Sequence, residues 1–339
     1  MGIKSYPIQI GKLQSNIQLP VDTASPLGPH SKAGRISQRL AGTEGRISSN
    51  SQRKKQVLVL NSHSLSDYQR CPKRYEFNNI IQIETQQTKA VYLLGTYWGK
   101  MLEIYYRYKI SIKDKYPIQK QIQRMSVLVS RLRKCADNED NGFDDETRNL
   151  LATRIVAYYK RYLNEDWEPL GVEVGFSIIL YEDKYTIFIY EGRPDRILRI
   201  KDPFNPGRRV ICVSDDKTRG RNDDLIDYNN QVNGYLVAAK TNWFVYNYMG
   251  KQKDTQKAFD RQLVHRSDIA LEKWKQTTIK WYFRILADRN REEFLESMQC
   301  PGEYSACEFL SLCSAKDDRE YNAVMNAKFK KRPEARKSW

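Results

Sequence analysis

Histidine is nearly absent from this 339-residue chain, with three copies, at positions 30, 63 and 265. That scarcity leaves a metal centre of more than three histidines out of reach and turns attention to carboxylates, thiols and backbone oxygens as candidate ligands. Carboxylates are themselves outnumbered, 41 Asp and Glu against 57 Lys and Arg, for a net charge of +16. Such an imbalance points to a polyanionic partner, with nucleic acid the first candidate. No apolar run approaches the ~20 residues needed to span a bilayer, and no cleavable hydrophobic leader is visible. The expectation is a soluble, intracellular protein, in which thiols stay reduced and clustered cysteines suggest metal before disulfides. Cysteine is sparse as well, six in all, yet three fall within "CPGEYSACEFLSLC" at residues 300–313.

The positive charge is uneven. Residues 1–55 carry a net +7 and residues 316–339 a net +4, leaving +5 for the 260 residues between. The first segment is rich in Ser, Gly, Pro and Arg without sustained periodicity, which reads as a flexible basic arm, with an organelle-targeting segment as the alternative. The last, ending "KFKKRPEARKSW", reads as a second basic tail. Residues 56–315 form the organised domain.

Within it, "VLVLNSHSLSDYQRCPKRYEF" opens with a short apolar run, followed by Ser64 as the expected N-cap of a helix. Residues 91–166 read as mostly helical, broken near Pro117 and again at "DNEDNGFDDE". The texture then changes to short β-branched and aromatic runs, "VEVGFSIILY", "KYTIFIYE" and "RRVICVSDDK", which read as strands. A helix over 224–241, two further strands and a long helix from Ser267 to about Asp288 follow. The expected class is α/β (α+β), a small mixed sheet flanked by helices.

The chemistry lies along the strands. Asp195 follows one strand in "EGRPDRIL", and Asp215 and Lys217 end the next in "VICVSDDKTRG". Residues two apart on a strand share a face, so Asp215 and Lys217 project together. Two carboxylates converging from neighbouring strands suit Mg²⁺ or Mn²⁺, and a lysine beside them can orient a water or offset phosphate charge. Gln231 and Tyr235, four apart on the following helix, share a face and could steady that water or phosphate. A solvated turn is the ordinary alternative for each carboxylate taken alone; their order together is the signal.

The succession G-x-x-D, D-x-K and Q-x-x-x-Y resembles the RecB-like exonucleases of the PD-(D/E)XK superfamily. "LSDYQRCPKRYEF" resembles the opening of that family's iron-sulfur members, and the C-x6-C-x5-C spacing resembles phage-encoded relatives of CRISPR-adaptation and AddB-type nucleases. The resemblance covers about residues 62–315. It implies a restriction-endonuclease-like core with a helical insertion, acting as a metal-dependent exonuclease on single-stranded DNA. It also implies a 4Fe-4S cluster on Cys71, Cys300, Cys307 and Cys313 that joins the two ends of the domain. Four thiolates also suit Zn²⁺, although no C-x2-C pair of the zinc-ribbon kind is present. Cys135 and Cys212 read as packing residues. Asp195, Asp215 and the backbone carbonyl of Asp216 are the implied metal ligands. Relatives place a histidine within G-T-x-x-H-x-x-L-E, where this chain reads "LGTYWGKMLE", with Gly99 at the histidine position and Glu103 retained as a possible ligand. That departure keeps open a second reading, a weakly active or inactive DNA-end-binding recombination protein on a nuclease fold. Arg70, Lys73, Arg74, Arg219 and Arg221 are candidate phosphate contacts. Tyrosines interleaved with basic residues in "LEIYYRYKISIKDKY" and "RIVAYYKRYL" are either core packing or a base-stacking surface.

Overall fold

A computed structural model of the chain describes residues 55–86, 90–139, 142–218, 229–250, 252, 257–297, 300 and 307–332. The basic arm expected over 1–55 lies almost entirely outside them, as do Arg219 and Arg221. Strand β1 (Gln56–Leu60) leads into helix α1 (Ser62–Arg70) and α2 (Pro72–Tyr75), which continues as a π-helical turn over Glu76–Ile81 before β2 (Ile83–Thr85). Three longer helices follow, α3 (Ala90–Lys113), α4 (Ile118–Ala136) and α5 (Asp145–Arg161). Then come β3 (Glu168–Val172), β4 (Phe176–Glu182), β5 (Thr186–Gly192), β6 (Arg196–Lys201) and β7 (Arg209–Lys217). Helix α6 (Asn230–Ala239), β8 (Trp243–Met249), β9 (Phe259–His265) and α7 (Asp268–Arg291) complete the core.

The main sheet has the order β3-β6-β7-β8-β9 and is antiparallel except for the β7–β8 pair. Parallel neighbours need a crossover, which α6 provides. β8, "WFVYNYM", is buried along its whole length, as expected of a strand covered on both faces. A second sheet, β1-β5-β4, sets β1 parallel to β5 and packs Leu58, Leu60, Phe188 and Tyr190 against Trp274 and Tyr282 of α7. The layer formed by α3, α4 and α5 has its own core of Trp98, Leu102, Tyr105, Leu128, Leu132, Leu151, Ile155 and Tyr158, closed by Met249 and Phe259 from the main sheet. Tyr105, Tyr106 and Tyr158 are buried there, so of the two readings of these tyrosines the structure takes packing. No described helix is long and apolar enough to cross a membrane.

Two expectations are corrected. The N-cap of α1 is Asn61, not Ser64. Asn61 Oδ1 accepts the Ser64 N–H at 2.9 Å and Ser64 Oγ accepts the Asn61 N–H at 2.9 Å, a reciprocal capping box that starts the helix one turn earlier. The segment read as a basic tail is folded over much of its length. Helix α9 (Asp318–Lys328) is capped by Asp317, and β10 (Phe329–Lys331) pairs with β2; the short α8 (Leu310–Cys313) precedes them. Apolar residues among the cations explain this, Tyr321, Val324 and Met325 packing against the same cluster as Phe329. Phe329, 4% exposed, packs with Phe309 and Phe77 and anchors a segment whose composition otherwise looks like tail.

Candidate active site

Strands β6 and β7 pair with Arg196 opposite Ser214, so Asp195, just before β6, meets β7 where the pairing ends. There the Asp216 N–H, which has no partner strand left on that side, donates to Asp195 Oδ2 at 2.5 Å. Alternation along β7 then divides its last residues between two faces. Asp215 and Lys217 share one, with the Lys217 ammonium against Asp215 Oδ2. Asp216 points to the other. Its carboxylate accepts from Arg196 Nη1 and Nη2 at 2.6 and 2.5 Å and from Asn247 Nδ2 at 2.7 Å. Arg196 also donates to Ser214 Oγ at 2.9 Å and lies over the Tyr106 ring, 4.5 Å from its centroid.

Helix α6 begins at this site because Asn229 caps it, accepting the Gln231 and Val232 N–H groups at 2.8 and 3.2 Å. The first turn therefore holds Gln231 above β7. Its Nε2 donates to Asp215 Oδ1 at 2.9 Å, and its Oε1 accepts from Lys217 Nζ at 3.1 Å. One turn on, the Tyr235 hydroxyl accepts from Gln231 Nε2 at 3.3 Å and donates to the Arg193 carbonyl at 3.2 Å. The glycine of G-x-x-D permits this approach, since a Cβ on Gly192 would stand 2.5 Å from Tyr235 Cε1. Gly192 and Tyr235, 43 positions apart in sequence, are thus one packing contact.

These groups line a cleft of about 260 Å³. Asp195, Asp215, Gln231 and Tyr235 were expected there from sequence; His63, Glu173, Glu191 and Arg193 join them. Glu173 had no sequence signal and reaches the cleft from a left-handed turn (φ 53°), ion-paired to Arg193 at 2.7 Å. Glu191 directly precedes Gly192, and His63 sits inside the quoted opening motif; their proximity to both motifs was the available hint. Burial, then the charges of Asp215 and Asp216, push the Asp195 carboxyl well above the usual carboxylate range. Burial also raises Glu173 and Glu191. Glu103 is held by Lys100 at 2.6 Å and Arg107 at 2.9 Å, and its charge reaches Glu173. Gly99 lies one turn along α3 from Gly95, whose added Cβ would meet Thr218 Oγ1, while an added Cβ on Gly99 meets nothing within 4 Å.

The cysteines named from sequence come to one corner of the fold. The Cys307 N–H donates to the Cys300 carbonyl at 2.9 Å, and Cys307 and Cys313 border the Phe77–Phe309–Phe329 cluster. Burial first, then Glu296 and the other three thiols, push the Cys313 thiol up to about 12. Among the described residues no three His, Cys, Asp or Glu side chains converge as ligands of a single ion. A four-iron cluster takes one thiolate per iron, which asks for thiols spread around it rather than meeting at a point. Lys73 pairs with Glu76 at 2.6 Å; Arg74 pairs with Asp67 at 2.7 Å and Glu308 at 3.0 Å and lies over Phe309. Both cations are therefore engaged within the corner that holds the cysteines, while Arg70 is exposed. Cys212 is buried in β7 and Cys135 is half-buried in α4.

A half-buried aspartate ahead of one strand and an Asp-x-Lys at the end of the next, crossed by a helix carrying Gln and Tyr, define the protein as a nuclease-fold chain. The family model of the PD-(D/E)XK nuclease superfamily matches residues 60–314, and the chain belongs to that superfamily. Similar solved structures include a protein from Eubacterium rectale named as a candidate exonuclease (13% identity, 76% of this chain and 91% of that one, TM-score 0.40). A protein named SSO0001 (12%, 75% and 82%, TM-score 0.31) and an alkaline exonuclease from Laribacter hongkongensis (8%, 40% and 66%, TM-score 0.29) are also similar. No relative was found among curated protein sequences.

Proposed function

We propose that the protein is a divalent-metal-dependent DNA exonuclease of the RecB-like, iron-sulfur type, acting on single strands or free ends. The observation that carries this reading is the hydrogen-bonded set Asp215–Gln231–Lys217, with the buried Asp215 and the half-buried Asp195 lining one cleft beside Gln231. The donor set fits Mg²⁺ or Mn²⁺. Asp215 Oδ2 is buried without a hydrogen bond of good angle, and Asp195 carries the cost of two neighbouring carboxylates, a cost a cation removes. Asp195 and Asp215 would hold the cation with the Asp216 carbonyl, which leaves the same edge of β7 as the N–H bonded to Asp195. A bound divalent cation supplies positive charge to the phosphate oxygens and a water of lowered pKa.

The remaining work falls to side chains. Lys217, steered by Gln231 Oε1, donates to the attacking water or to a non-bridging phosphate oxygen as charge develops there. Tyr235 stays protonated at neutral pH, because burial and then the Asp215 charge raise its pKa, and so remains a donor. Gln231 fixes the relative positions of Asp215, Lys217 and Tyr235. Water adds to phosphorus and the bond to the leaving sugar oxygen breaks.

Cys71, Cys300, Cys307 and Cys313 would hold a 4Fe-4S cluster as a structural staple between the ends of the domain; they do not converge on one point as Zn²⁺ would require. Four thiols drawn from both ends of the domain, three of them close enough to raise the pKa of the fourth, Cys313, support this. Gly99 favours the second reading, a DNA-end-binding protein with little cleavage. The experiment is digestion of end-labelled linear single strands and of closed circles in Mg²⁺ and in Mn²⁺, with protein purified without oxygen. Loss of the linear strand alone supports an exonuclease; tight binding without cleavage in either metal supports the second reading.

A further inference from the structure

Helix α4 has no catalytic assignment, yet it holds the charge of the domain. Its nineteen residues include Lys120, Arg124, Arg131, Arg133 and Lys134 and no carboxylate. Those five cations equal the whole net charge of residues 56–315, so the rest of that span is neutral overall. The helix buries Met125, Leu128, Val129, Leu132 and Ala136 and turns a different stripe outward. Lys120, Arg124, Val127 and Arg131 recur at helical spacing along it. With Gln123 and with Tyr108 of α3 they line an open groove of about 330 Å³.

Val127 is 47% exposed in the middle of these cations. Tyr116, just before the helix, lies under both Lys120 Nζ (4.9 Å from the ring centroid) and the Arg124 guanidinium (4.0 Å). Eleven residues of helix separate Lys120 from Arg131, about 16 Å at the helical rise. That is long enough to meet several phosphates of one strand, which follow one another at about 3.4 Å along the axis. A lone cation would be an ordinary surface residue. A row of three cations beside an apolar residue, on a helix that itself carries no carboxylate and a core otherwise neutral overall, matches a polyanion with apolar faces.

We propose that the α4 groove binds the sugar-phosphate backbone of a DNA strand beyond the catalytic cleft. This rests on the nucleic-acid reading of that cleft. Helix α3 joins the two places, with Gly95 beside Thr218 at the end of β7 and Tyr108 in the wall of the groove. A strand engaged in the cleft continues across α3 onto α4, so affinity depends on strand length.

The test measures binding of fluorescent oligothymidylates of increasing length by the full chain in EDTA, over a salt series. Wild type is compared with the triple variant Lys120→Gln, Arg124→Gln, Arg131→Gln. Affinity of wild type rises beyond the length that fills the cleft, and the variant loses that increment. Each lost phosphate contact removes about 0.7 from the slope of log K against log salt for single strands, so three remove about 2. Between 1 M and 0.1 M salt that difference corresponds to about 100-fold in affinity. A wild-type affinity indifferent to length, or a variant with an unchanged slope, overturns the proposal. A photocrosslinking residue in place of Val127 in an otherwise wild-type chain tests it without removing charge, and failure to capture the strand also overturns it. Stronger competition by a polyglutamate peptide than by oligothymidylate assigns the face to an acidic protein instead. Length-dependent binding without cleavage removes the nuclease reading and keeps the α4 surface; cleavage with unchanged binding does the reverse.

Discussion

Asp216→Ala should destabilise the protein far more than its position beside the active site would suggest. The reason lies on the face of β7 turned away from the cleft. Arg196 is 2% exposed, and the Asp216 carboxylate takes two of its guanidinium hydrogen bonds. Among the described residues, Ser214 Oγ and the Tyr106 ring remain in contact with it once that carboxylate is gone, with the Asp195 charge nearby. Removing one partner of a buried ion pair strands the other charge in low dielectric, which costs about 3–5 kcal/mol. Asn247 Nδ2 also loses its 2.7 Å acceptor, though the Tyr158 hydroxyl at 3.2 Å stays within its reach. The double variant Arg196→Met, Asp216→Leu removes both charges and leaves mainly that amide under-bonded, a cost of about 1–3 kcal/mol. The double variant is therefore expected to be more stable than the single one by about 2 kcal/mol. Urea unfolding of metal-free protein at neutral pH measures both against wild type. A single variant losing under about 1 kcal/mol, or a double variant less stable than the single, refutes the reasoning, which rests on the stranded charge.

Four other variants have expected outcomes. In metal-free protein the raised Asp195 carboxyl favours its protonated form, so that stabilisation is present at low pH and lost as pH rises through the folded pKa. Asp195→Asn should therefore raise the melting temperature at pH 7, with the gain vanishing below about pH 4, where the wild-type carboxyl is protonated folded and unfolded alike. Gly99→Ala meets no neighbour within 4 Å and should stabilise α3 by about 1 kcal/mol; Gly99→His should lower the Mg²⁺ concentration needed for half-maximal cleavage. Cys313→Ala should abolish the visible absorbance and bound iron of protein purified without oxygen, and should cost about 4–5 kcal/mol if the cluster closes the domain as a cross-link does.

The strands and the three long helices were legible because their period is local: β-branched alternation for β5 and β7, apolar three-four spacing for α5. The grouping of Asp195, Asp215, Lys217, Gln231 and Tyr235 was legible because their motifs follow one another in a set order, with Asp215 and Lys217 on one face of a strand and Gln231 and Tyr235 on one face of a helix. What escaped is long-range or depends on a few residues. Phe329, with Tyr321, Val324 and Met325 against the same cluster, turns a basic segment into α9 and β10 by packing on Phe309 and Phe77, which no composition count registers. Asn61 competes with Ser64 for the cap, and only the backbone decides between two side chains that both bond. Glu173 enters the cleft from a left-handed turn between strands, with no motif around it. The acidic middle residue of Asp-Asp-Lys was the least expected feature. Its carboxylate neutralises Arg196 on the opposite face, and its N–H holds Asp195.

The most direct test of the site is single-turnover cleavage of end-labelled single-stranded DNA in Mg²⁺ by wild type and Asp215→Asn, with strand affinity measured for both. If Asp215 holds the cation as proposed, its loss with the strand-binding surfaces intact should leave affinity within about threefold while cleavage falls at least about 10²–10³-fold. Equal cleavage by the two proteins would contradict the assignment of Asp215, and with it the site built around that residue.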